Sequence, residues 1–196
     1  MEIVLHRINL INDLKSVPVK YGCEIDIRSQ GSKLILNHEP YISGDNLVDY
    51  LDNYKHGLLV LNIKEAGIEN DVLRLVRERN ISSYFLLDVE FPYLYRSSRL
   101  GERAIAVRFS EDEPIELVYN YNKLIDWVWI DTNSKLPINT QNIQILSSMK
   151  SCLVCPERWG RAHDIISYRQ LMKNLGFDPH AVMTNLKYTY LWEQDI

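Results

Sequence analysis

Short apolar runs recur along the whole chain, and polar or amphipathic segments separate them. Eight of the runs are rich in isoleucine, valine and leucine, and most are continuous, as expected for strands that are buried on both faces. The eight runs are Ile3–His6, Cys23–Ile27, Leu58–Ile63, Tyr84–Leu87, Ala104–Phe109, Trp127–Ile130, Cys152–Cys155 and Ala181–Met183. This alternation predicts an α/β protein with a largely parallel sheet.

Helical segments are predicted between several of these strands. They are Asn46–Asn53, Ile68–Arg79, Thr140–Met149 and Ala162–Leu175. Pro92 and Pro114 interrupt the stretches after the fourth and fifth strands, so we expect the helices there to be short or missing. The sequence Gln30-Gly31-Ser32 predicts a hairpin turn directly after the second strand.

Eight strands, most of them followed by a helix, predict a small, trimmed (β/α)8 TIM barrel with a short hairpin after strand 2. An open, doubly wound sheet is the alternative. A chain of 196 residues is close to the lower limit for a barrel, about 200 residues, which favours short loops. No linker or shift in composition marks a boundary, so we expect a single domain over residues 1–196.

Composition narrows the class of partner. The 22 basic and 26 acidic side chains give a net charge of −4, so nucleic acid is not an expected partner. Neither a signal peptide nor an apolar run of the ~20 residues that span a bilayer is present, which predicts a cytoplasmic protein with no membrane span. Cys152 and Cys155 form a CxxC within an apolar run. We expect buried structural thiols there, with a redox pair as the alternative.

Charged or polar side chains end nearly every predicted strand. They are His6 and Arg7, Glu24 and Asp26, Asn62 and Lys64, Asp88, Arg108, Asp131, Glu157 and Thr184. Strand side chains alternate, so Glu24 and Asp26 point the same way and would repel each other without a cation between them. Oxygen donors suit Mg²⁺ or Ca²⁺. Solvated charges at strand–loop junctions are the simpler reading, but a set spread over so many strand ends favours a functional site.

These residues resemble the glycerophosphodiester phosphodiesterase family, within the superfamily of phosphatidylinositol-specific phospholipases. The similarity is strong over residues 3–64 and architectural beyond them. The segments that resemble the family motifs are Leu5-His6-Arg7, Cys23–Ile27 with its Glu-x-Asp, Leu36–Pro40 with its histidine and acid, and Leu61–Lys64.

The resemblance implies a role for each matching residue. His6 and His38 would be general acid and base, Glu24 and Asp26 metal ligands, and Arg7 and Lys64 partners of the phosphate charge. Ile8 replaces the family's glycine and Glu39 its aspartate. Asn62 replaces the third metal ligand, a glutamate, so Asn62 would bind the metal through an uncharged oxygen or Asp88 would supply the missing carboxylate.

The function predicted from the sequence is a metal-dependent phosphodiesterase that acts on a small glycerophosphodiester-like molecule. Arg108 and Asp131 are further candidates for substrate binding, although Arg108 could instead pair with nearby acids. Two other functions stay open. One is a non-catalytic barrel that binds a phosphorylated ligand, and the other is a sugar-phosphate isomerase or aldolase that uses Lys64. Whether the reaction yields a free or a cyclic phosphate, and the oligomeric state, are also open.

Overall fold

The computed structural model describes residues 1–195, which fall into two compact units. We call Val4–Leu100 the N-terminal unit. The C-terminal unit consists of Met1–Ile3 together with the chain from Gly101 onward. The first strand, β1 (Glu2–Leu5), therefore contributes residues to both units.

Parallel pairing dominates the N-terminal unit. Its further strands are β2 (Gly22–Gln30), β3 (Lys33–Leu36), β4 (Asp45–Asn46), β5 (Leu59–Ile63) and β6 (Tyr84–Leu87). Strand β2 pairs in parallel with β1 and with β5, and β5 pairs in parallel with β6. The end of β2 turns back into antiparallel β3, where Gly31 has a φ of 62° that favours glycine. The predicted hairpin is confirmed.

Helices follow most strands of this unit. They are α1 (Ile11–Leu14), α2 (Leu47–Asp52), α3 (Glu69–Glu78) and α4 (Phe91–Arg99). The α2 helix begins after Asn46, whose side chain accepts a hydrogen bond from the Val48 amide. Helix α3 buries Val72, Leu73 and Val76, as its hydrophobic period predicts.

The C-terminal unit has four consecutive parallel strands. These are β7 (Ala106–Phe109), β8 (Trp127–Ile130), β9 (Lys150–Val154) and β10 (Ala181–Thr184). The amide of Glu2 donates to the carbonyl of His180, which attaches the start of β1 beside β10. The helices of this unit are α5 (Ile115–Tyr121), α6 (Ile143–Leu146), α7 (Asp164–Leu175) and α8 (Thr189–Glu193), with 3-10 turns at Pro156–Trp159 and Leu186–Tyr188.

The helices after the fourth and fifth predicted strands are present with nine and seven residues, and α6 differs from the prediction. Pro92 lies in the first turn of α4 and Pro114 directly precedes α5, so these prolines begin helices instead of removing them. Helix α6 is much shorter than the predicted Thr140–Met149. Its start is delayed because the Asn139 side chain accepts hydrogen bonds from the amides of Gln141 and Asn142, which competes with helical pairing.

Several residues that were considered as candidates for a functional role are buried in the core. Cys152 and Cys155 are buried free thiols, and Cys155 accepts a hydrogen bond from the Trp192 indole. Burial raises the pKa of Cys155 to about 12, so its reactive thiolate is disfavoured. Trp127 and Trp129 are also buried. Within residues 1–195, every helix is too short or too polar to cross a membrane.

Candidate active site

The polar side chains of the N-terminal unit meet where β1, β2 and β5 end. Glu24 and Asp26 project from the same face of β2, and both are almost completely buried, with exposures of 2% and 1%. Asp26 is in register with Asn62 on the neighbouring strand β5. A close backbone approach fixes this pairing, because a side chain at Gly22 would lie only 2.1 Å from the Leu58 carbonyl oxygen.

Cationic and amide groups surround Asp26. Its Oδ1 lies 3.1 Å from Lys64 Nζ, and its Oδ2 lies 3.7 Å from Arg7 Nε. Asn9 donates to Oδ2 at 2.9 Å and accepts from the Asp26 amide at 2.8 Å, so it fixes both the backbone and the carboxylate. A buried carboxylate needs such partners, since desolvation of an unpaired charge is costly.

Glu24 has a different set of neighbours. Its Oε2 accepts from the Arg7 amide at 2.8 Å and lies 4.0 Å from His6 Nε2, whereas its Oε1 accepts from the Asn62 amide group at 2.8 Å. Burial, followed by the repulsion of Asp26, raises the pKa of Glu24 to about 7. The hydrogen bonds from Asn62 and Arg7 and the charge of Lys64 act in the opposite direction.

The turn after β1 brings Arg7 over these carboxylates. Arg7 has a φ of 55°, a left-handed conformation that costs a non-glycine residue about 1–2 kcal/mol. Two hydrogen bonds offset that cost. The Arg7 amide donates to the Glu24 carboxylate, and the Ile8 amide donates to the Glu24 main-chain carbonyl. The positive φ falls on Arg7 and not on Ile8, so this turn forms without the family's glycine.

His38 follows the hairpin strand β3 and is held by its neighbours. Its Nδ1 lies 2.6 Å from Glu39 Oε1, which orients the ring and leaves Nε2 for another partner. The His38 carbonyl accepts two hydrogen bonds from Arg28, at 3.0 and 3.2 Å. Glu39 therefore supplies an acid beside this histidine.

Asp88, at the end of β6, lies beside Lys64. Its Oδ2 is 3.9 Å from Lys64 Nζ, so the ammonium group is shared between Asp26 and Asp88. Asp88 also has a left-handed φ of 60°. Asp88 therefore contacts the ammonium group of Lys64, and its role as a metal ligand stays a prediction.

The donor set allows a test of the predicted metal. Among residues 1–195, no three His, Cys, Asp or Glu side chains are grouped so that they could hold a metal ion. Glu24 and Asp26 supply two carboxylates, and Asn62 supplies the third oxygen: its Oδ1 is buried and has no hydrogen-bond partner. These residues fit a divalent cation with one negative charge fewer than three carboxylates would give.

The strand ends of the C-terminal unit form local pairs. Arg108 donates to Asp131, which also accepts from the Trp129 indole at 3.3 Å. Farther along the chain, Glu157 accepts from the Thr184 hydroxyl at 2.7 Å and from the Asn185 amide at 3.0 Å. Arg108 and Asp131 thus contact each other, and their predicted role in substrate binding stays a prediction.

Two residues of the N-terminal site were missed by the sequence analysis. Asn9 and Arg28 hold Asp26 and His38 through the contacts described above. The period of a strand could have identified Arg28, because residues 24, 26 and 28 of one strand share a face. Asn9 lies in an irregular turn, where no periodic signal indicates the direction of a side chain.

The fold defined by these elements is known from solved structures, although no family model and no curated protein matches the sequence. One similar structure is described as a glycerophosphoryl diester phosphodiesterase of Agrobacterium tumefaciens, with a TM-score of 0.65 and 9% identity over 94% of this chain and 93% of that chain. Another is an Oleispira antarctica phosphodiesterase in complex with the product sn-glycerol-3-phosphate, with a TM-score of 0.65 and 15% identity over 99% of this chain and 97% of that one.

These similarities establish the fold. The chain has the α/β fold of the glycerophosphodiester phosphodiesterase structures, which is the predicted (β/α)8 barrel class, although the strand pairing of the described residues does not close the sheet. The resemblance first noted over residues 3–64 therefore holds for the fold of nearly the whole chain.

Proposed function

We propose that the protein is a phosphodiesterase that acts on a glycerophosphodiester-like small molecule. The observation that carries this proposal is the cluster at the ends of β1, β2 and β5, in which His6, Arg7 and Lys64 surround two buried carboxylates. The similar fold of an enzyme that binds sn-glycerol-3-phosphate as its product supports the choice of substrate class.

His6 and His38 are proposed as the general acid and base pair. One imidazole takes a proton from the attacking hydroxyl or water, and the other protonates the leaving alkoxide. Glu24 lies 4.0 Å from His6 Nε2 and Glu39 bonds His38 Nδ1, so each ring has a carboxyl group beside it that can orient it. Such a pair supplies both proton transfers of phosphodiester cleavage.

Arg7 and Lys64 are proposed to bind the phosphate. Phosphoryl oxygens gain charge in the transition state, so preorganised cations stabilise that state more than they stabilise the bound diester. Both cations are held in advance by Asp26. Within the C-terminal unit, Arg108 and Asp131 are proposed as further substrate-binding residues.

A divalent cation, Mg²⁺ or Ca²⁺, would be held by Glu24, Asp26 and the free Oδ1 of Asn62, with Asp88 as a candidate further ligand. When bound, the cation supplies Lewis-acid stabilisation of the negative charge on the phosphoryl oxygens. The buried Glu24 and Asp26 would lose their mutual repulsion, which favours cation binding.

The three free thiols agree with a reducing, cytoplasmic compartment.

A second candidate function is non-catalytic binding of a phosphorylated ligand. The hydrogen bond from Asn62 to Glu24 favours this binding function. An uncharged amide occupies the position at which a third carboxylate would increase the affinity for a metal. An aldolase that uses Lys64 as a Schiff-base amine is disfavoured, since the Lys64 Nζ is engaged by the carboxylates of Asp26 and Asp88 at 3.1 and 3.9 Å.

The experiment is a ³¹P NMR assay of glycerophosphodiesters with the purified protein and added Mg²⁺, Ca²⁺ or Mn²⁺. We expect conversion to a phosphomonoester or to a cyclic phosphate, whose chemical shifts differ. If no diester is converted while glycerol 3-phosphate still binds, the binding-protein alternative is correct. If glycerol 3-phosphate does not bind either, both functions are wrong.

A further inference from the structure

Arg28 occupies a special position on β2. It is two residues beyond Asp26, so its side chain leaves the strand on the same face as the two carboxylates. Strand β2 is flanked there by β3 on one side and by β5 on the other. Arg28 therefore lies between the two segments that carry His38 and Lys64.

The backbone pairing of β2 with both neighbours ends near the site. On one side, the Asn37 amide donates to the Asp26 carbonyl at 3.0 Å, and on the other side the Lys64 amide donates to the Ile27 carbonyl at 3.1 Å. The carbonyls of His38 and Lys64 lie just beyond these bonds. Beyond these bonds, strand pairing with β2 no longer fixes the main chain of His38 and Lys64.

The guanidinium of Arg28 bonds to both of these carbonyls. Its Nε and one terminal nitrogen donate to the His38 carbonyl at 3.2 and 3.0 Å, and the other terminal nitrogen donates to the Lys64 carbonyl at 3.2 Å. A planar group with five donors in a rigid fork can reach both acceptors at once. The ammonium of a lysine carries its three donors on one atom of a shorter side chain, so it cannot reproduce the three bonds of this fork.

We propose that Arg28 is a positioning residue that holds the main chain of His38 and Lys64 at a fixed separation. The proposal rests on the proposed function, because it gives this separation a purpose: the proton-transferring ring and the phosphate-binding ammonium must face the same phosphorus. A displacement of 1 Å in such an arrangement can cost about 100-fold in rate. Arg28 need not touch the substrate for this effect.

The first test compares Arg28→Lys with the wild type in steady-state turnover. We expect kcat to fall by about 10-fold to 100-fold while KM changes little, since the chemistry loses alignment but the phosphate ligands Arg7 and Lys64 remain. In Arg28→Ala, added guanidinium ions should restore part of kcat. Equal kcat in Arg28→Lys and the wild type would overturn the proposal.

Arg79 provides a matched control. It also donates to a main-chain carbonyl, that of Leu75, and pairs with Asp52, but it lies in the α3 region away from the strand ends. Arg79→Lys should leave kcat unchanged even if the melting temperature falls. A similar loss of kcat in both variants would mean that general destabilisation is responsible, and the proposal would be wrong.

An NMR measurement separates this proposal from the proposed function. The chain has five histidines, so the imidazole ¹⁵N signals can be assigned by single substitutions. In Arg28→Lys, the His38 signals should shift and broaden, whereas those of exposed His163 should not. If the wild type has no turnover, the proposed function fails, and the His38 signals alone then decide whether Arg28 holds this segment. Unchanged His38 signals would overturn the positioning role in either case.

Discussion

Charged side chains end the strands in both units, but their partners differ. In the N-terminal unit, one cation serves several acids: Lys64 contacts both Asp26 and Asp88. In the C-terminal unit, Arg108 pairs with Asp131, and Glu157 is held by the neutral donors Thr184 and Asn185. Asp26 is the more deeply buried of the two paired aspartates, at 1% exposure against 7% for Asp131, so its charge costs more in desolvation.

The difference indicates where the chemistry lies. Glu24 and Asp26 are held near each other in a buried position, where burial and the charge of Asp26 raise the pKa of Glu24. Stability by itself would replace these residues with apolar ones. Buried carboxyl groups with a raised pKa are typical of functional sites, and the N-terminal unit is therefore the proposed catalytic part of the chain.

Substitution of the histidines should have the largest effect. We expect His6→Ala and His38→Ala each to lower kcat/KM by about 10² to 10⁴, because each removes one of the two proton transfers. The measurement is turnover of an aryl phosphodiester and of a glycerophosphodiester. His163→Ala is the control, since this ring is 78% exposed and contacts Asp164. Full activity in either site variant would exclude the two-histidine mechanism.

The raised pKa of Glu24 predicts a pH dependence of stability. Its pKa is about 7 in the folded protein and 4.5 in the unfolded chain, so folding favours the protonated form. This contribution is fully present below pH 4.5 and is lost as the pH rises through about 7. With EDTA present, the wild type should lose about 2–3 kcal/mol more unfolding free energy than Glu24→Gln between pH 5 and pH 8.

Urea denaturation at several pH values measures this difference. A divalent cation that binds Glu24 should reduce it, because the cation stabilises the ionised carboxylate. Parallel pH profiles for the wild type and Glu24→Gln would mean that Glu24 is ionised at neutral pH even without a metal.

Asn62→Glu should convert the N-terminal site into a three-carboxylate site. We expect the affinity for Mg²⁺ or Ca²⁺ to rise by about tenfold or more, because a charged ligand replaces a neutral one. Isothermal titration calorimetry gives the dissociation constants. Asn53→Glu adds the same charge at an exposed helix end of the same unit and should not change them. Equal metal affinity in the wild type and Asn62→Glu would remove Asn62 from the proposed metal site.

The smallest effect is expected in the C-terminal unit. If Arg108 binds substrate, Arg108→Ala should raise KM several-fold with a smaller change in kcat, as the loss of one charged contact predicts. The Arg103 and Asp126 pair has the same chemistry in the same unit, so Arg103→Ala is its matched control. A rise in KM that is equal in both variants, or absent from both, would leave Arg108 with a purely structural role.

The sequence predicted the strands well because each is a continuous apolar run whose length fits a buried strand. All eight predicted strands are present within two residues at most ends, although β2 continues three residues farther into the hairpin. The length of helix α6 was overestimated, because the spacing of apolar residues does not reveal that the Asn139 side chain competes for backbone amides. Pro92 and Pro114 were treated as breaks, when the same residues also suit a helix start.

For the candidate site, the sequence predicted which residues would lie near one another but not the bonds that connect them. Side-chain alternation correctly grouped Glu24 with Asp26 and Asn62 with Lys64. It could not indicate that Asn62 donates to Glu24 or that Arg28 reaches two carbonyls, because these bonds join residues 38, 10 and 36 positions apart. Such contacts depend on the register between strands, which only the folded chain defines.

A crystal structure with sn-glycerol 3-phosphate and Mg²⁺ or Ca²⁺ tests the central claim most directly. We expect the metal to be bound by Glu24 and Asp26. The phosphate should contact Arg7 and Lys64. An imidazole nitrogen of His6 or His38 should lie at hydrogen-bond distance from a phosphate oxygen. A phosphate bound elsewhere, with Glu24 and Asp26 contacting neither the metal nor the ligand, would contradict the central claim.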